Sequence, residues 1–349
     1  MLEQTRRLLL KSNSQGAGGS KGKTIVRGLI SLVLLAVVYS SVNPAELWHR
    51  LGSLSWRGVT LVLTLYTVGQ LLSSFKWRIF VLQAGLSPTV GETIRAYFFG
   101  MFVNNFGLGT VGGDFARSLM LPAKQAQKPA CFATVVADRI HGLGCLLCIG
   151  ACSIMLFHPP VLGRFGVGFA VTAVISIVVF WLVGPRILTR IFPVGSRWGE
   201  AAQMSEQAFP RRPGVFAAAS LISLFFHCSQ IMMHFVIAQD LHADLSLAYL
   251  FATVPLVNIA ASLPVSINGL GLRESMYVML FVPAGVPQET AVAFGAIWIL
   301  VTTTVSALGG LLLTPDISDG EPETAFNSSS PAGINEEEMG NIEKKKAAA

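Results

Sequence analysis

The sequence NNFGLGTVGGDFAR occupies residues 104–117 and lies between apolar segments. It carries four glycines within seven residues, together with two asparagines, an aspartate and an arginine. Lipid cannot solvate a helix of this composition, because glycine lowers helix propensity and each unsatisfied backbone group in hydrocarbon is costly. The stretch therefore predicts a broken helical segment that is buried in protein or lines a wet cavity.

A second stretch of the same character, SLPVSINGLGLRE, occupies residues 262–274. Aligning Arg117 with Arg273 also places Gly113 on Gly269. In transporters, two polar segments interrupted by glycine at corresponding positions mark the binding site. The pair of stretches therefore predicts a transport site built from two broken helices.

The composition is that of a membrane protein. Of the 349 residues, 52% are hydrophobic and only 13% are charged, whereas soluble domains carry about 25% charged residues. The mean hydropathy is +0.60. The net charge of +6 comes from lysines and arginines that mostly flank apolar runs, which is a topology signal. We predict a polytopic helical membrane protein, and no nucleic-acid partner is expected.

The chain divides into three predicted regions. Residues 1–24 are expected to be a disordered basic cytoplasmic N-terminus, residues 25–313 a transmembrane domain, and residues 314–349 a disordered C-terminal tail. The broken segments at 92–120 and 247–282 are predicted to be re-entrant hairpins. Full spans are predicted at 25–42, 59–75, 130–157, 165–183, 215–238 and 291–313. The fold class is therefore all-α, with six full transmembrane helices and two hairpins.

The charged loops predict the orientation of these spans. The linker at 186–212 is rich in arginine, whereas the loop at 239–246 has no lysine or arginine. By the positive-inside rule, both termini are predicted to lie in the cytoplasm. The first hairpin then enters from the inside and the second from the outside, as in an inverted repeat. If either broken segment crossed the membrane completely, the number of crossings would change, and so would the predicted sides of the loops.

Two connecting segments complete this prediction. Residues 43–57 are expected to form a short loop after the first span. Lys76, Trp77 and Arg78 follow the second span as a basic and aromatic cluster. Such residues are enriched where helices meet the membrane interface. We therefore predict that these three residues anchor the end of the second span.

Several common chemistries are not supported. Residues 107–112 match the pattern G-x-G-x-x-G, but a dinucleotide site needs a strand before it and a helix after it. Close helix packing through small residues explains the glycines without a nucleotide. His141 and Cys152 lie on one helix face with Cys145 and Cys148, but the set spans about 16 Å and cannot converge on one ion. No metal, cofactor or enzymatic activity is expected.

The polar residues of the broken segments are the candidate binding site. Asp114 and Arg117 either neutralise each other or leave Arg117 and free glycine amides to bind a phosphate. Arg273 would bind in the same way from the other side. Glu274 either neutralises Arg273 or couples transport to protons. The predicted substrate-binding residues are Asn104, Asn105, Gly112, Gly113, Asp114, Arg117, Asp138, Arg139, Asn268, Gly269, Gly271, Arg273 and Glu274.

Asp138 and Arg139 lie inside the third predicted span, where charges are expensive. Adjacent residues on a helix point about 100° apart, so the two are poorly placed to pair with each other. We predict cross-pairs instead, from Asp138 to Arg117 and from Arg139 to Asp114. Exchanging the charges of Asp138 and Arg117 is then expected to recover part of the loss that Asp138→Asn causes.

The motifs that carry a family resemblance run in order through residues 25–313. They are Lys76-Trp77-Arg78, Asn104-Asn105, Gly112-Gly113-Asp114-x-x-Arg117, Asp138-Arg139 and Leu263-Pro264-x-Ser266-x-Asn268-Gly269-x-Gly271-x-Arg273-Glu274. In these motifs the chain resembles the lysylphosphatidylglycerol synthase transmembrane region, a flippase-like family of integral membrane proteins.

The resemblance implies a bacterial or archaeal protein of the cytoplasmic membrane that moves lipids between leaflets. In larger relatives this region flips an aminoacylated phospholipid that an attached cytoplasmic synthase domain makes. Residues 314–349 are too few for such a domain, so aminoacyl transfer is not expected. The first hairpin carries Gly107-Leu108-Gly109 where family members often have proline, which affects its predicted shape.

Two functions remain open at this point. The first is a flippase for an anionic, aminoacylated or polyprenyl-linked lipid. The second is a non-transporting membrane partner that binds lipid or delivers it to a separate lipid- or glycan-modifying enzyme. Both readings require a membrane lipid as the ligand, and the sequence leaves the oligomeric state open.

Overall fold

The computed structural model describes residues 26–313 apart from 27, 41, 107–108, 123–126, 164–165, 169, 177–178, 180–211 and 264. Within these residues, all regular secondary structure is helical. The helices are α1 (Gly28–Ser40), α2 (Pro44–Gly52), α3 (Trp56–Gln83), α4 (Val90–Phe106), α5 (Gly109–Met120), α6 (Lys128–Phe157), α7 (Gly166–Ser176), α8 (Pro213–Asp240), α9 (Leu247–Ser262), α10 (Leu272–Phe281) and α11 (Gln288–Leu313).

Four described helices, α3, α6, α8 and α11, are long and apolar enough to cross a membrane. A fifth crossing results if α1 and α2, which are bent by 91°, form one broken span. These helices match five of the predicted spans in position. The predicted span at 165–183 is described only in part, and the linker at 186–212 lies almost wholly outside the described residues. The described residues therefore do not reach the predicted count of six.

Large apolar side chains point away from the bundle on several of these helices. Leu32 and Val33 on α1, Leu221 and Phe225 on α8, and Leu300 on α11 are all exposed. Lipid tails can solvate such side chains, whereas water cannot do so favourably over so wide an area. The exposed surface is therefore that of a multi-pass membrane protein.

The predicted loop at 43–57 was wrong in part, because it contains α2. Asn43 caps this helix by accepting hydrogen bonds from the amides of Ala45 and Glu46, and Pro44 occupies its first turn. Helices this short are marginal by themselves, so tertiary contacts decide whether they form. The cap is visible in the sequence, but it does not by itself predict the helix.

The second predicted span ended too early. Helix α3 begins after Ser55, whose hydroxyl accepts a hydrogen bond from the Gly58 amide, and it continues past Arg78. Lys76 is only 4% exposed, and Trp77 is fully buried. The predicted interfacial anchor is therefore wrong for these two residues, which lie within the protein.

Both broken segments are confirmed as interrupted helices. The first consists of α4 and α5, which pack against each other on either side of residues 107–108. The second consists of α9 and α10, which are separated by the non-helical residues 263–271 and also pack together. Helix α3 packs against α4, α6 and α8, and α11 packs against α4, α3 and α10. The long helices α3 and α11 therefore contact both the first hairpin and each other.

Candidate functional site

The tip of the first hairpin is fixed by its two asparagines. The Asn104 side-chain oxygen accepts a hydrogen bond from the Gly113 amide at 2.9 Å, which joins α4 to α5. Asn105 donates to the Thr302 carbonyl and to the Ser306 hydroxyl on α11, each at 2.9 Å. The Gly113 amide is thus committed within the hairpin and is not free to bind an anion.

Gly113 also permits the close approach of the two helices in this hairpin. A Cβ atom at this position would collide with the Gly100 carbonyl and the Asn104 side chain. The neighbouring Gly112 lies within α5 as well. Close packing through small residues therefore accounts for at least one glycine of the motif.

We expect Gly113→Ala to destabilise the hairpin by about 1–3 kcal/mol, because the new methyl group meets backbone that cannot move freely. Gly91→Ala on α4 is the matched control, since no described atom lies within 4 Å of a Cβ atom there. Thermal unfolding of the purified protein in detergent measures both. Equal melting temperatures for the two variants would contradict the packing role of Gly113.

A cluster of charges, most of them buried, joins the first hairpin to α3 and α6. Asp138 lies 3.0 Å from the Lys76 ammonium and 3.3 Å from the Arg117 guanidinium. Asp114 lies 3.3 Å from Arg117 and 2.9 Å from Arg139. Both predicted cross-pairs are therefore confirmed. Asp114 also lies 3.3 Å from Arg117, so the alternative in which these two residues neutralise each other is observed, and phosphate binding by Arg117 stays a prediction.

This charge cluster holds one more cation than it has carboxylates. Among the described residues, the ion pairs of Lys76, Arg117 and Arg139 are with Asp114 and Asp138. Arg117 is 3% exposed and Asp138 is 4% exposed, whereas the Arg139 side chain is 48% exposed. A surplus positive charge in a partly closed site attracts an anion.

Lys76 was not among the predicted site residues. Its charge suggested the end of a span, although α3 continues for another seven residues to Gln83. The signal that could have identified it was Asp138, a buried carboxylate within reach of more than one cation. A hydropathy window alone treats Lys76 as a span boundary.

Two aromatic rings enclose the Arg117 guanidinium. Its central carbon lies 4.9 Å from the Trp77 ring centre and 5.3 Å from that of Tyr97. The Tyr97 hydroxyl in turn lies 2.8 Å from the Ser73 hydroxyl and 3.2 Å from the Gln70 side-chain oxygen. Arg117 therefore lies at one end of a polar and aromatic network on α3.

The break in the second hairpin is built from left-handed backbone. Asn268, Gly269 and Gly271 have φ angles of 51°, 77° and 78°, a region that glycine and asparagine adopt most readily. A Cβ atom at Gly271 would also meet the backbone of α1, where the Ser31 hydroxyl accepts a hydrogen bond from the Ile267 amide at 2.8 Å. The break therefore packs tightly against α1.

Arg273 follows this break and is held without a carboxylate. It donates to the Asn258 side-chain oxygen at 2.7 Å, and its guanidinium carbon lies 4.2 Å from the Trp298 ring centre. Among the described residues it forms no ion pair within 4.0 Å. Its side chain is partly exposed. Arg273 is therefore a positioned cation that no described carboxylate contacts directly.

Glu274 does not pair with Arg273. Its carboxylate accepts a hydrogen bond from the Gly271 amide at 2.7 Å, which caps α10. The other carboxylate oxygen is buried and has no hydrogen-bond partner among the residues described. Direct neutralisation of Arg273 is thus not observed, and a role in proton coupling stays a prediction.

The two hairpins touch at their breaks. The Asn268 side chain donates a hydrogen bond to the Asn104 carbonyl near the end of α4. The last carbonyls of a helix have no partner within it, so this contact satisfies a group that the first hairpin leaves free. The prediction that the two broken segments meet is confirmed for this contact.

Comparison with known proteins agrees with the motifs. The family model described as the lysylphosphatidylglycerol synthase TM region matches residues 24–310, which is most of the chain and contains the whole site. No curated protein matches the chain at a significant level. The resemblance predicted from the motifs is therefore confirmed.

Proposed function

Since the chain belongs to the family of the lysylphosphatidylglycerol synthase transmembrane region, we propose that it is a lipid flippase. Its substrate would be an anionic, aminoacylated or polyprenyl-linked lipid, which it moves between the leaflets of the cytoplasmic membrane. The observation that carries the proposal is Arg273, a partly exposed cation without a carboxylate partner beside the point where the hairpins meet.

The three candidate lipids share a phosphate, and the chemistry of the site suits that group. A guanidinium presents a planar fork of donors that matches phosphate oxygens, and it remains charged at any physiological pH. The Trp298 ring and the Asn258 oxygen fix the plane of the Arg273 guanidinium in advance. The surplus cation of the charge cluster would favour the same anion at the first hairpin.

Movement would require the ion pairs of the first hairpin to open. Arg117 is enclosed by carboxylates and rings, so a lipid phosphate can contact it only by displacing Asp114 or Asp138. We therefore propose that the cross-pairs between the first hairpin and α6 break and reform during transport. Arg273 needs no such displacement and would bind the head group first or release it last.

The complete architecture that we propose has six spans, two re-entrant hairpins and an inverted repeat. The two glycine-interrupted stretches that carry Arg117 and Arg273 support the repeat. Asp240 at the end of α8 accepts hydrogen bonds from the amide and hydroxyl of Ser55 before α3, so these two ends lie on one side. The proposed orientation makes this the outer side and puts both termini in the cytoplasm.

The orientation predicts which introduced cysteines react from outside. In a variant whose five cysteines are replaced, Asp244→Cys is expected to react with a membrane-impermeant thiol reagent in intact cells. Asp244 is exposed, whereas the adjacent Ala243 is buried. Ser205→Cys, in the arginine-rich linker, is expected to react only after the cells are opened. The reverse pattern would invert the proposed topology.

A second candidate uses the same site without transport. A membrane partner that holds the lipid for a separate lipid- or glycan-modifying enzyme would also need a phosphate-binding cation beside a cavity. The partly exposed Arg273 suits this role as well as the first. Leaflet exchange separates the two functions, because only a flippase moves the head group across the bilayer.

Reconstitution into vesicles tests the proposal. A fluorescent phosphatidylglycerol is placed in both leaflets, and an impermeant reductant destroys the label in the outer leaflet. With a flippase, labelled lipid from the inner leaflet continues to reach the reductant, and the signal falls below the half that protein-free vesicles retain. Retention of half the signal in vesicles with folded protein would favour the non-transporting partner.

A further inference from the structure

One face of α3 carries polar or small side chains, whereas a membrane-spanning helix is mostly apolar. This face consists of Tyr66, Gly69, Gln70, Ser73 and Trp77. Apart from the adjacent pair Gly69 and Gln70, these residues follow one another at intervals of three or four, so they share one side of the helix. We name these five residues the α3 polar face. All of them are buried, and burial of polar groups within a membrane protein requires partners or a function.

The α3 polar face connects the two arginines. At one end, the Trp77 ring lies against the Arg117 guanidinium at 4.9 Å. At the other end, the Tyr66 ring contacts the edge of Trp298 with ring centres 5.9 Å apart. Trp298 in turn packs against Arg273, whose guanidinium carbon lies 4.2 Å from the ring centre. Arg117 therefore contacts one end of the α3 polar face directly, and Arg273 is connected to the other end through Trp298.

The distance between the two ends of the α3 polar face suits the movement of a lipid head group within the membrane. Tyr66 and Trp77 are eleven positions apart, which corresponds to about 16 Å along the helix axis. The hydrocarbon core of a bilayer is about 30 Å thick. A charged head group that moves from one arginine to the other would therefore cross about half of that core beside α3.

The side chain of Gln230 on α8 faces the same part of α3 and has no hydrogen-bond partner among the described residues. A Cβ atom at Gly69 would lie 3.6 Å from the Gln230 amide nitrogen. Gln230 is 3% exposed, and both polar atoms of its side chain lack hydrogen bonds within the described part of the chain. An unsatisfied buried amide destabilises a protein unless a ligand or water binds it at some stage. Gln230 therefore points to a ligand beside Gly69.

We infer that the α3 polar face, together with Gln230, is the path along which the phosphate-bearing head group moves between Arg117 and Arg273. This inference rests on the proposed flippase function. Gln70 and Gln230 supply amide donors, and Ser73 and Tyr97 supply hydroxyl donors, to a phosphate that has left one arginine and has not reached the other. The aromatic rings at each end hold the arginines in place while the head group is between them.

The path is closed in this structure, since its residues are buried and packed. Gly69 lets α8 come close to α3, because a Cβ atom there would lie 2.8 Å from the Ser229 hydroxyl. Separation of α8 from α3 would expose Gln230 and the α3 polar face together. A moving head group would then replace the contacts that the closed state makes between Tyr97, Gln70 and Ser73.

Gln230→Leu tests the path because stability and transport are expected to change in opposite directions. Leucine removes the unsatisfied amide, so the melting temperature should stay the same or rise. Exchange of labelled phosphatidylglycerol should fall at least about tenfold, which corresponds to a barrier higher by roughly 1.4 kcal/mol. Gln239→Leu, near the exposed end of the same helix, is the matched control and should exchange lipid at the normal rate.

A second pair of variants covers the case in which Gln230→Leu does not fold. Ser73→Ala removes a hydroxyl that contacts Tyr97. Ser74→Ala removes a buried hydroxyl whose hydrogen bond, within the described part of the chain, is to the Leu71 carbonyl of its own helix. Slower exchange in Ser73→Ala than in Ser74→Ala supports the path.

The outcomes separate this inference from the function on which it rests. Normal exchange in both Gln230→Leu and Ser73→Ala, with an active wild-type protein, would overturn the path but leave the flippase function intact. An absence of exchange in the folded wild-type protein would overturn both.

Discussion

Replacement of Arg273 by lysine or alanine is expected to slow lipid exchange by about 100-fold while the protein stays folded. Arg273 forms no ion pair with a described carboxylate, so its removal breaks no direct ion pair. Two charge-assisted hydrogen bonds to a phosphate contribute roughly 3 kcal/mol in total, which corresponds to about 100-fold in rate. Lysine keeps the charge but loses the planar fork and the stacking on Trp298.

The matched control for this substitution is Arg50→Lys on α2. Arg50 forms a partly exposed ion pair with Glu46 at 2.8 Å, one helical turn away, and such pairs contribute little to stability. Exchange should be normal in this variant. If Arg273→Lys also exchanged lipid at the wild-type rate, positive charge alone would suffice at this position, and the guanidinium geometry would have no role.

The second large effect concerns Asp138, which two buried cations share. Asp138→Asn leaves Lys76 without a carboxylate and raises the surplus charge of the cluster from one to two. Removal of one partner from a buried ion pair costs roughly 3–5 kcal/mol. We therefore expect Asp138→Asn to melt at a lower temperature and to exchange lipid slowly.

Lys76→Met should rescue Asp138→Asn. The double variant removes the ammonium group that Asp138→Asn leaves unpaired, so the cluster again has one more cation than carboxylates. Arg117 keeps Asp114 as a partner, at 3.3 Å in the wild-type structure. Thermal unfolding of the two single variants and the double variant measures the coupling, as in a double-mutant cycle. A double variant no more stable than Asp138→Asn would show that Lys76 and Asp138 do not depend on each other.

The charge exchange predicted from sequence is not expected to work. Asp138→Arg with Arg117→Asp would place a guanidinium where Lys76 lies 3.0 Å away, and two like charges at that distance repel. The prediction from sequence gave Asp138 one cationic partner, Arg117, whereas the structure places two cations, Lys76 and Arg117, beside the same carboxylate. This difference explains why Lys76 replaces Arg117 as the partner in the rescue.

The parts of the site that the sequence predicts depend on local rules. Helix geometry separates Asp138 from Arg139 by about 100°, and the glycine-rich break before Asp114 and Arg117 marks a hairpin that can return to them. These two features of the sequence were sufficient to predict both cross-pairs. The break at residues 263–271 was also visible in the sequence, since its glycines do not suit a continuous helix.

The remainder of the site depends on contacts between distant segments. Asn258 and Trp298 hold Arg273 from two other helices, and nothing in their local sequence marks them as partners. Lys76 was misplaced because hydropathy ends a span at its first charge, although a buried carboxylate can keep that charge inside. Helix α2 was missed because a nine-residue helix depends on its surroundings. Such features follow from tertiary packing rather than from periodicity.

Head-group selectivity in one population of vesicles tests the central claim, which is that two positioned arginines recognise a phosphate-bearing anion and carry it across the membrane. Phosphatidylglycerol and phosphatidylcholine with distinguishable labels are reconstituted together with the wild-type protein or with Arg273→Ala. The wild-type protein is expected to exchange the anionic lipid at least about tenfold faster than the zwitterionic one, a difference of roughly 1.4 kcal/mol, and Arg273→Ala is expected to remove the preference. Equal rates for both lipids in the wild-type protein, or an unchanged preference in Arg273→Ala, would contradict the account.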